Sequence, residues 1–327
     1  MQLVLNRIRQ GQRARLLPRA TLALLPFLTT GCLSHTHSVL KTRRPDLVLD
    51  ATLDQLLKRV DDRNDAIQNM TAFVKIATST GGSLQGEVKE SIAFDGFIIL
   101  AKPDQIRVIL KAPLLGSEIL DMVSDGKNFT MLIPPKSCAI VGSDQVPNTS
   151  QKGLYSLRPA VILDSMLIRG LEPDQLVSET QDIRVVENPK KRKDFIEEPD
   201  YDLEFLSQPK GQVARTLRVI HVSRINLLPY QQDIYDAEGK VVTQAFYSDY
   251  QKFGEIDFPS KIVIKRPLDE LGLTIAVVKG TSFNKKFDAD EFKLDLPGTL
   301  GRITNMDDPA SATIKDPCAG NAPHSPH

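Results

Sequence analysis

Between Thr71 and Lys279 apolar and polar residues alternate with a period of two, run after run, and this pattern limits the fold more than any other feature. Phe73/Lys75/Ala77, Ile92/Phe94, Ile106/Val108/Leu110, Ile119/Asp121/Val123 and Phe129/Met131/Ile133 follow one another, with Asp125-Gly126 between two of the runs as a hairpin turn signal. They predict an antiparallel meander over about residues 71–141. Strands resume at about 183–186, 201–206, 216–225, 231–235, 241–250, 261–265 and 271–279. The total expected is about eleven strands, without internal repeats.

Two segments break the period. Thr52-Leu-Asp-Gln55 fits a capping box, and Leu53, Leu56, Leu57, Val60, Ile67 and Met70 keep helical spacing. This predicts an amphipathic helix of about five turns, whose apolar stripe needs a partner surface. In Ser156–Gly170, Pro159 suits a first helical turn and Gly170 a helix end, and Val161, Ile162, Leu163, Met166, Leu167 and Ile168 make the segment apolar on more than one side. A short, greasy helix inserted between strands reads as a lid over something apolar. The fold class is therefore mainly β with α.

The N-terminus reads as a leader. Five arginines precede an apolar run, Ala20–Leu28, then Thr29-Thr30-Gly31-Cys32, and no acid occurs before Asp46. A cationic start, a short apolar core and small residues describe a secretory signal peptide, and the core is well short of the ~20 apolar residues that span a bilayer. Cys32, directly after the small residues, resembles the lipobox of bacterial lipoproteins, although Thr29 stands where Leu is commonest. That resemblance implies an acylated Cys32 as the mature first residue, and so membrane lipid as a partner. Leu33 behind it, rather than Asp, favours the periplasmic face of the outer membrane. The expected organisation is a signal peptide over 1–31, a lipid-anchored tether over 32–50, one β domain over 51–300 and a flexible tail over 301–327.

Lys+Arg and Asp+Glu both number 41, so loss of the leader's five arginines leaves a mildly acidic mature chain. Such a chain has no general attraction for nucleic acid or anionic lipid, and Lys190-Lys-Arg-Lys193 reads as a solvated loop. Behind a secretory leader the compartment is oxidising, which allows Cys138 and Cys318 to be bonded and the tail pinned to the body; two free thiols are the alternative.

Catalytic motifs are missing: no nucleophile elbow, phosphate loop or zinc-protease helix occurs. Of five histidines only His221 falls in the folded body, inside a strand, where a satisfied histidine is expected. No metal site and no cofactor is expected, and the weight shifts from catalysis to binding.

The order of elements (N-terminal helix, meander, lid helix, second meander, closing Phe292-Lys-Leu-Asp-Leu-Pro297) resembles the lipoprotein-sorting carriers and receptors of the bacterial envelope, LolA and LolB. Tyr247–Ile264 resembles their hairpin, and Phe283-Asn284 with Phe292–Pro297 their terminal strand and exit. The resemblance covers about residues 52–297; the long 187–215 region and the tail depart from it. It implies an unclosed antiparallel β-barrel whose mouth is plugged by helices, binding acyl chains or lipoproteins, with a periplasmic carrier as a further partner. The lipid anchor places the chain closer to the receptor, LolB. Candidate acyl contacts on the concave face are Phe73, Ile92, Phe94, Ile106, Val108, Leu110 and Phe129, with Val161, Leu163 and Met166 on the lid. In LolB-like receptors an exposed leucine on a protruding loop faces the membrane. Here that role falls on Leu114 or Leu115, the alternative being that both pack under the barrel rim. A structural or sensory envelope protein that holds a protein partner with the same fold is the competing reading.

Overall fold

A computed structural model of the protein describes residues 37–82, 84–144, 157–188, 191, 193–286, 288–314 and 316–319. The expected leader and Cys32 lie outside the described residues. From Thr42 onward the chain forms one compact unit.

Thr52 and Gln55 close the predicted capping box. The Gln55 backbone N–H donates to the Thr52 hydroxyl at 3.4 Å, and the Thr52 N–H to Gln55 Oε1 at 3.0 Å. They open α1, Leu53–Asp65, which is shorter than the spacing predicts. The Asn284 side chain reaches the turn beyond it, accepting from Gln68 N at 2.8 Å and donating to Ala66 O at 2.7 Å. Met70 therefore belongs to the next strand and not to the helix.

The strands among the described residues are β1 (Thr42–Arg43), β2 (Asn69–Gly82), β3 (Glu87–Glu90), β4 (Phe94–Ala101), β5 (Gln105–Lys111), β6 (Glu118–Ser124), β7 (Asn128–Ile133) and β8 (Cys138–Ser143). After α2 (Pro159–Met166) come β9 (Gln175–Glu187), β10 (Phe195–Ser207), β11 (Thr216–Ser223), β12 (Pro229–Tyr235), β13 (Val241–Phe253) and β14 (Ile256–Arg266). Last are β15 (Leu271–Val277), β16 (Ser282–Phe283) and β17 (Arg302–Asn305). All seventeen join one mainly antiparallel sheet, against the roughly eleven expected. Part of the excess is interruption. β3 and β4 lie end to end along one side of β2, and β15 and β16 along the other. The rest comes from short pieces with no period of their own, β1, β8 and β17.

The ladder runs from β9 through β10–β15 to β2 and on through β4–β8, with no pairing that joins β8 or β17 to β9 among the described residues. The sheet is open but strongly curled. Between β6 and β13 lie six strand spacings, about 29 Å if flat at ~4.8 Å each. Yet α2, about 12 Å long, packs against β5 and β6 on one wall and β13 and β14 on the other. One short helix can touch both walls only if the sheet bends into a bowl around it.

The core fills the bowl. Met70, Ala72, Val74 and Ile76 of β2 are buried in register with Ile98 and Leu100, Ile106 and Val108, and Met122. A second cluster seats Leu56 and Val60 of α1 on Tyr201, Leu203, Phe205, Ile220 and Val222. The opposite parity of β2 faces out. Phe73, expected on the concave face, is 39% exposed on the convex one, packed against Phe97 with ring centroids 4.9 Å apart and the rings tilted by 59°. Its row includes Lys75, while the neighbouring row is wholly apolar, and a one-residue slip exchanges the faces.

Residues 302–305, expected within a flexible tail, pair in parallel with β8 as β17. Cys318 is bonded to Cys138 with Cα atoms 5.5 Å apart, and Met306 and Cys318 join the main core. The chain end thus lines the β8 edge and the concave side next to it.

Candidate functional site

The concave face leaves an apolar cavity of about 210 Å³ beneath α2. Ile76, Phe94, Val108, Met122, Met131 and Leu273 form its walls and floor, and Leu157 and Ile162 its roof. The lining is almost wholly apolar, so water entering this partly open pocket finds few hydrogen-bond partners. Apolar surface left facing water is unfavourable, and an apolar occupant would cover it.

The expected acyl contacts divide. Phe94, Val108 and Leu110 line the cavity. Ile106 and Phe129 are fully buried in the same core. Ile92 does not contribute: it sits between β3 and β4 and is 68% exposed, because Ser91 bonds across to Thr78 and interrupts the strand there. Phe73 faces away, as described. On the lid, Val161 packs against the core, Leu163 is buried in the core and borders a second groove of mixed lining, and Met166 lines a small crevice of about 40 Å³ with Tyr247. The roof residue is Ile162, which lay inside the predicted lid but was not singled out. Met131 belongs to the alternating run Phe129/Met131/Ile133, whereas Met122 has the opposite parity to Ile119/Asp121/Val123 and shares its row with Leu120. Leu273 lies in a predicted strand, but its place at the cavity depends on the pairing of β15 with β2, which local sequence does not give.

Leu110 is paired with Leu120, and the hairpin beyond them carries Leu114 and Leu115. Both are exposed, so neither packs under the rim. Leu114 holds a left-handed backbone, φ 70°, uncommon outside glycine, Asn and Asp. The two leucines therefore stand directly above two strands that line the cavity.

The lid is held at both ends. At its start the Asp144 carboxylate, buried at the end of β8, accepts from Ala160 N at 3.1 Å and from the Ser124 hydroxyl. Burial pushes the Asp144 carboxyl up, while those two bonds favour its ionised form. Arg158 pairs with Asp307 and lies 4.8 Å over the Phe129 ring, which ties the lid to the chain end. At the other end Arg169 bridges Asp104 at 2.8 Å and Asp164 at 3.1 Å, and the Arg218 guanidinium donates to the carbonyls of Arg169 and Gly170. Burial pulls Arg218 down to about 10, still charged at neutral pH. Another flank of α2 borders an open groove of about 580 Å³ with mixed lining, charged residues such as Asp164, Arg169 and Glu172 beside Leu163, Leu217 and Ile234.

His221 lies on the convex face between Asp202 at 2.6 Å and Asp233 at 3.5 Å. Burial alone would lower it, but the two carboxylates hold it up at about 9. Among the described residues no group of three or more His, Cys, Asp or Glu could hold a metal ion, and no helix is long and apolar enough to cross a membrane.

No curated protein matches the chain. A family model described as "Uncharacterized protein" matches residues 188–295, about a third of the chain. Similar solved structures include a LolA superfamily protein from Nitrosomonas europaea, 15% identical, covering 75% of this chain and 99% of its own at a TM-score of 0.45. A DUF1329 family protein from Desulfovibrio piger is 15% identical, covering 73% and 94%, with a TM-score of 0.46. A putative outer membrane lipoprotein-sorting protein domain from Vibrio parahaemolyticus is 9% identical, covering 73% and 94%, with a TM-score of 0.43.

Proposed function

We propose that this protein is a lipid-anchored envelope protein that binds acyl chains, those of lipoproteins among them, in the apolar cavity beneath α2. On this reading it acts as a receptor in lipoprotein sorting at the periplasmic face of the outer membrane. The observation that supports it is the juxtaposition of an apolar pocket of about 210 Å³ with the two exposed leucines on the hairpin beyond Leu110 and Leu120. Each methylene moved from water into such a chamber gains about 0.8 kcal/mol. A chain that displaces Ile162 exchanges one apolar contact for another, so uptake and release stay close in energy. Acylated Cys32 holds the protein at the membrane, Leu114 and Leu115 dip into its surface, and a soluble periplasmic carrier delivers the cargo. The chemistry needed is binding and not catalysis.

The test is mass spectrometry of the protein gently extracted from membranes, together with titration of a fluorescent fatty acid. The expected result is an acylated Cys32, a co-purified acyl lipid and saturable one-to-one binding. A protein that neither carries lipid nor takes up the fatty acid would overturn the reading.

One observation favours the second reading, a lipoprotein that holds a protein partner. β9 spans thirteen residues, pairs only with β10 among the described strands, and exposes Leu176, Ile183 and Val185. A long free edge is a template for strand addition. Recovery of a stoichiometric partner, lost on Ile183→Lys and Val185→Lys with lipid binding intact, would decide for it.

A further inference from the structure

The open sheet has two edges, and the chain treats them differently. At one, β17 pairs in parallel with β8 over four residues, and the Cys138–Cys318 bond fixes the segment that follows. A short strand with a pinned continuation is a poor template for another chain. At the other edge β9 runs for thirteen residues, paired with β10 along its whole length without a shift of register. Pro, Lys, a bulge or short length usually blunts such an edge, and β9 has none of these.

Its backbone is set to pair. The Gln175 N–H donates back to Glu172 O at 3.0 Å, and Ile183 stands opposite Pro199, which has no N–H to give. The odd-numbered residues of β9 therefore turn N–H and C=O away from β10, and the even-numbered ones toward it. Asp182 meets the Ile183 N–H at 2.7 Å. Val177, Glu179, Gln181 and Val185 point theirs away from the sheet.

The sequence of β9 is also complementary to itself. Two copies laid antiparallel about a two-fold axis through Gln181 pair all thirteen residues. Val177 of one then meets Val185 of the other, and Leu176 meets Val186. Within each chain Leu176 already stands opposite Leu206, Val177 opposite Phe205 and Val186 opposite Ile196. One face thus gains an apolar row across four strands: Leu206 and Leu176 of one copy, Val186 and Ile196 of the other. The concave face gains Phe205, Val177 and then Val185. Leu176 and Val185 are 41% and 50% exposed in the single chain, and this register covers both. No like charges oppose one another, since Glu179 faces Ile183, Asp182 faces Thr180, Arg184 faces Ser178 and Glu187 faces Gln175. Moving the axis to Asp182 sets that carboxylate against its own copy. Moving it to Thr180 takes Val185 and Val186 off Val177 and Leu176.

We propose that β9 is a homodimer interface, two copies joining edge to edge around Gln181 into one continuous sheet. The contact is isologous, with the same thirteen residues on both sides, and adds about ten backbone hydrogen bonds. The axis stands perpendicular to the sheet, so both concave faces lie on one side. α1 packs over β10 and β11, which sets the two α1 helices about four strand spacings apart, ~19 Å if flat, against the ~10 Å of a close helix pair. The dimer leaves neither copy with a long free edge. It is independent of the acyl-binding reading, and it gives the edge to the chain itself and not to a different protein.

The experiment uses the full mature chain in detergent. Sedimentation should show a reversible dimer, and Leu176→Asp with Val185→Asp, both at exposed positions, should weaken it at least about tenfold with thermal unfolding unchanged. Gln181→Cys gives the sharper readout. On the axis its two copies pair directly, Cα atoms ~5.5 Å apart, within reach of a disulfide, and mild oxidation should yield a covalent dimer. Glu179→Cys should not, because its copies lie four residues apart along the seam, ~13 Å. A monomer at all concentrations overturns the proposal. So does a dimer that survives the double variant, or a Glu179→Cys chain that cross-links as readily as Gln181→Cys. A monomer whose β9 instead captures a different protein overturns it in favour of the second reading above.

Discussion

The Asp144 carboxylate caps the lid helix from another element, accepting the Ala160 N–H at 3.1 Å where Arg158, the helix's own N-cap, supplies no side-chain bond. A helix start leaves backbone donors unmet, and here β8 supplies the acceptor. Replacing Asp144 by Ala removes that bond and takes away the acceptor of the Ser124 O–H, whose oxygen still accepts from Gly126 N. The expected loss is about 1–3 kcal/mol, read by denaturant unfolding, together with faster uptake and release of a fluorescent fatty acid. Unchanged exchange rates would show that this end of the lid is not what holds it.

Ile162→Ala enlarges the apolar chamber. Stability should fall by about 2–4 kcal/mol, and a bound fatty acid should restore part of it as an upward shift in Tm. The same truncation at Ile92, exposed between β3 and β4, should change neither. Calorimetry with and without the ligand checks both.

Leu114→Asp with Leu115→Asp should leave thermal stability within about 0.5 kcal/mol, since both side chains are exposed. Asp also accepts the left-handed backbone at 114 more readily than Leu. Transfer of bound lipid to vesicles should slow markedly while uptake from solution is retained. A fluorescence transfer assay separates the two.

His221 makes stability depend on pH. Its folded value, held at about 9 against ~6.5 unfolded, means that its contribution is complete below the unfolded value and disappears as pH climbs through about 9. The loss is at most about 3 kcal/mol. Urea unfolding at pH 6 and pH 9.5 should show it for the native chain, and His221→Gln should flatten the difference. Equal slopes for the two proteins would assign the pH dependence to other groups.

The Cys138–Cys318 bond closes a loop of 180 residues. Loops of this length correspond to about 3–5 kcal/mol of stabilisation. The paired variant Cys138→Ser, Cys318→Ser should unfold at correspondingly lower denaturant, and proteolysis should release the residues after Asp307 first, since four residues of parallel pairing, buried Met306 and the Arg158–Asp307 pair still hold β17.

Much of this architecture is legible from period and punctuation. The capping box at Thr52, Pro159 at the start of the lid and Asp125-Gly126 between β6 and β7 are local signals, and local signals survive folding. Phe73 shows where legibility ends. Both parities of β2 carry apolar residues, and only the partner strands and the lid decide which row is covered. Ile162 was hidden for a similar reason, because a helix greasy on several sides does not announce which side faces the chamber. The groove behind α2 was invisible, since Asp104, the Asp164–Glu172 stretch and Gln232 come from three separate parts of the chain that meet only when the sheet curls.

That curl has a mechanical side. α2 is the strut that touches β5 and β6 across from β13 and β14, so whatever dislodges it inherits the task of keeping the walls apart. A guest is then judged by reach as well as by greasiness. On the acyl-binding reading, an occupant that replaces α2 would have to bridge the two walls the helix now separates, so the width set by the sheet's own bending would gauge it.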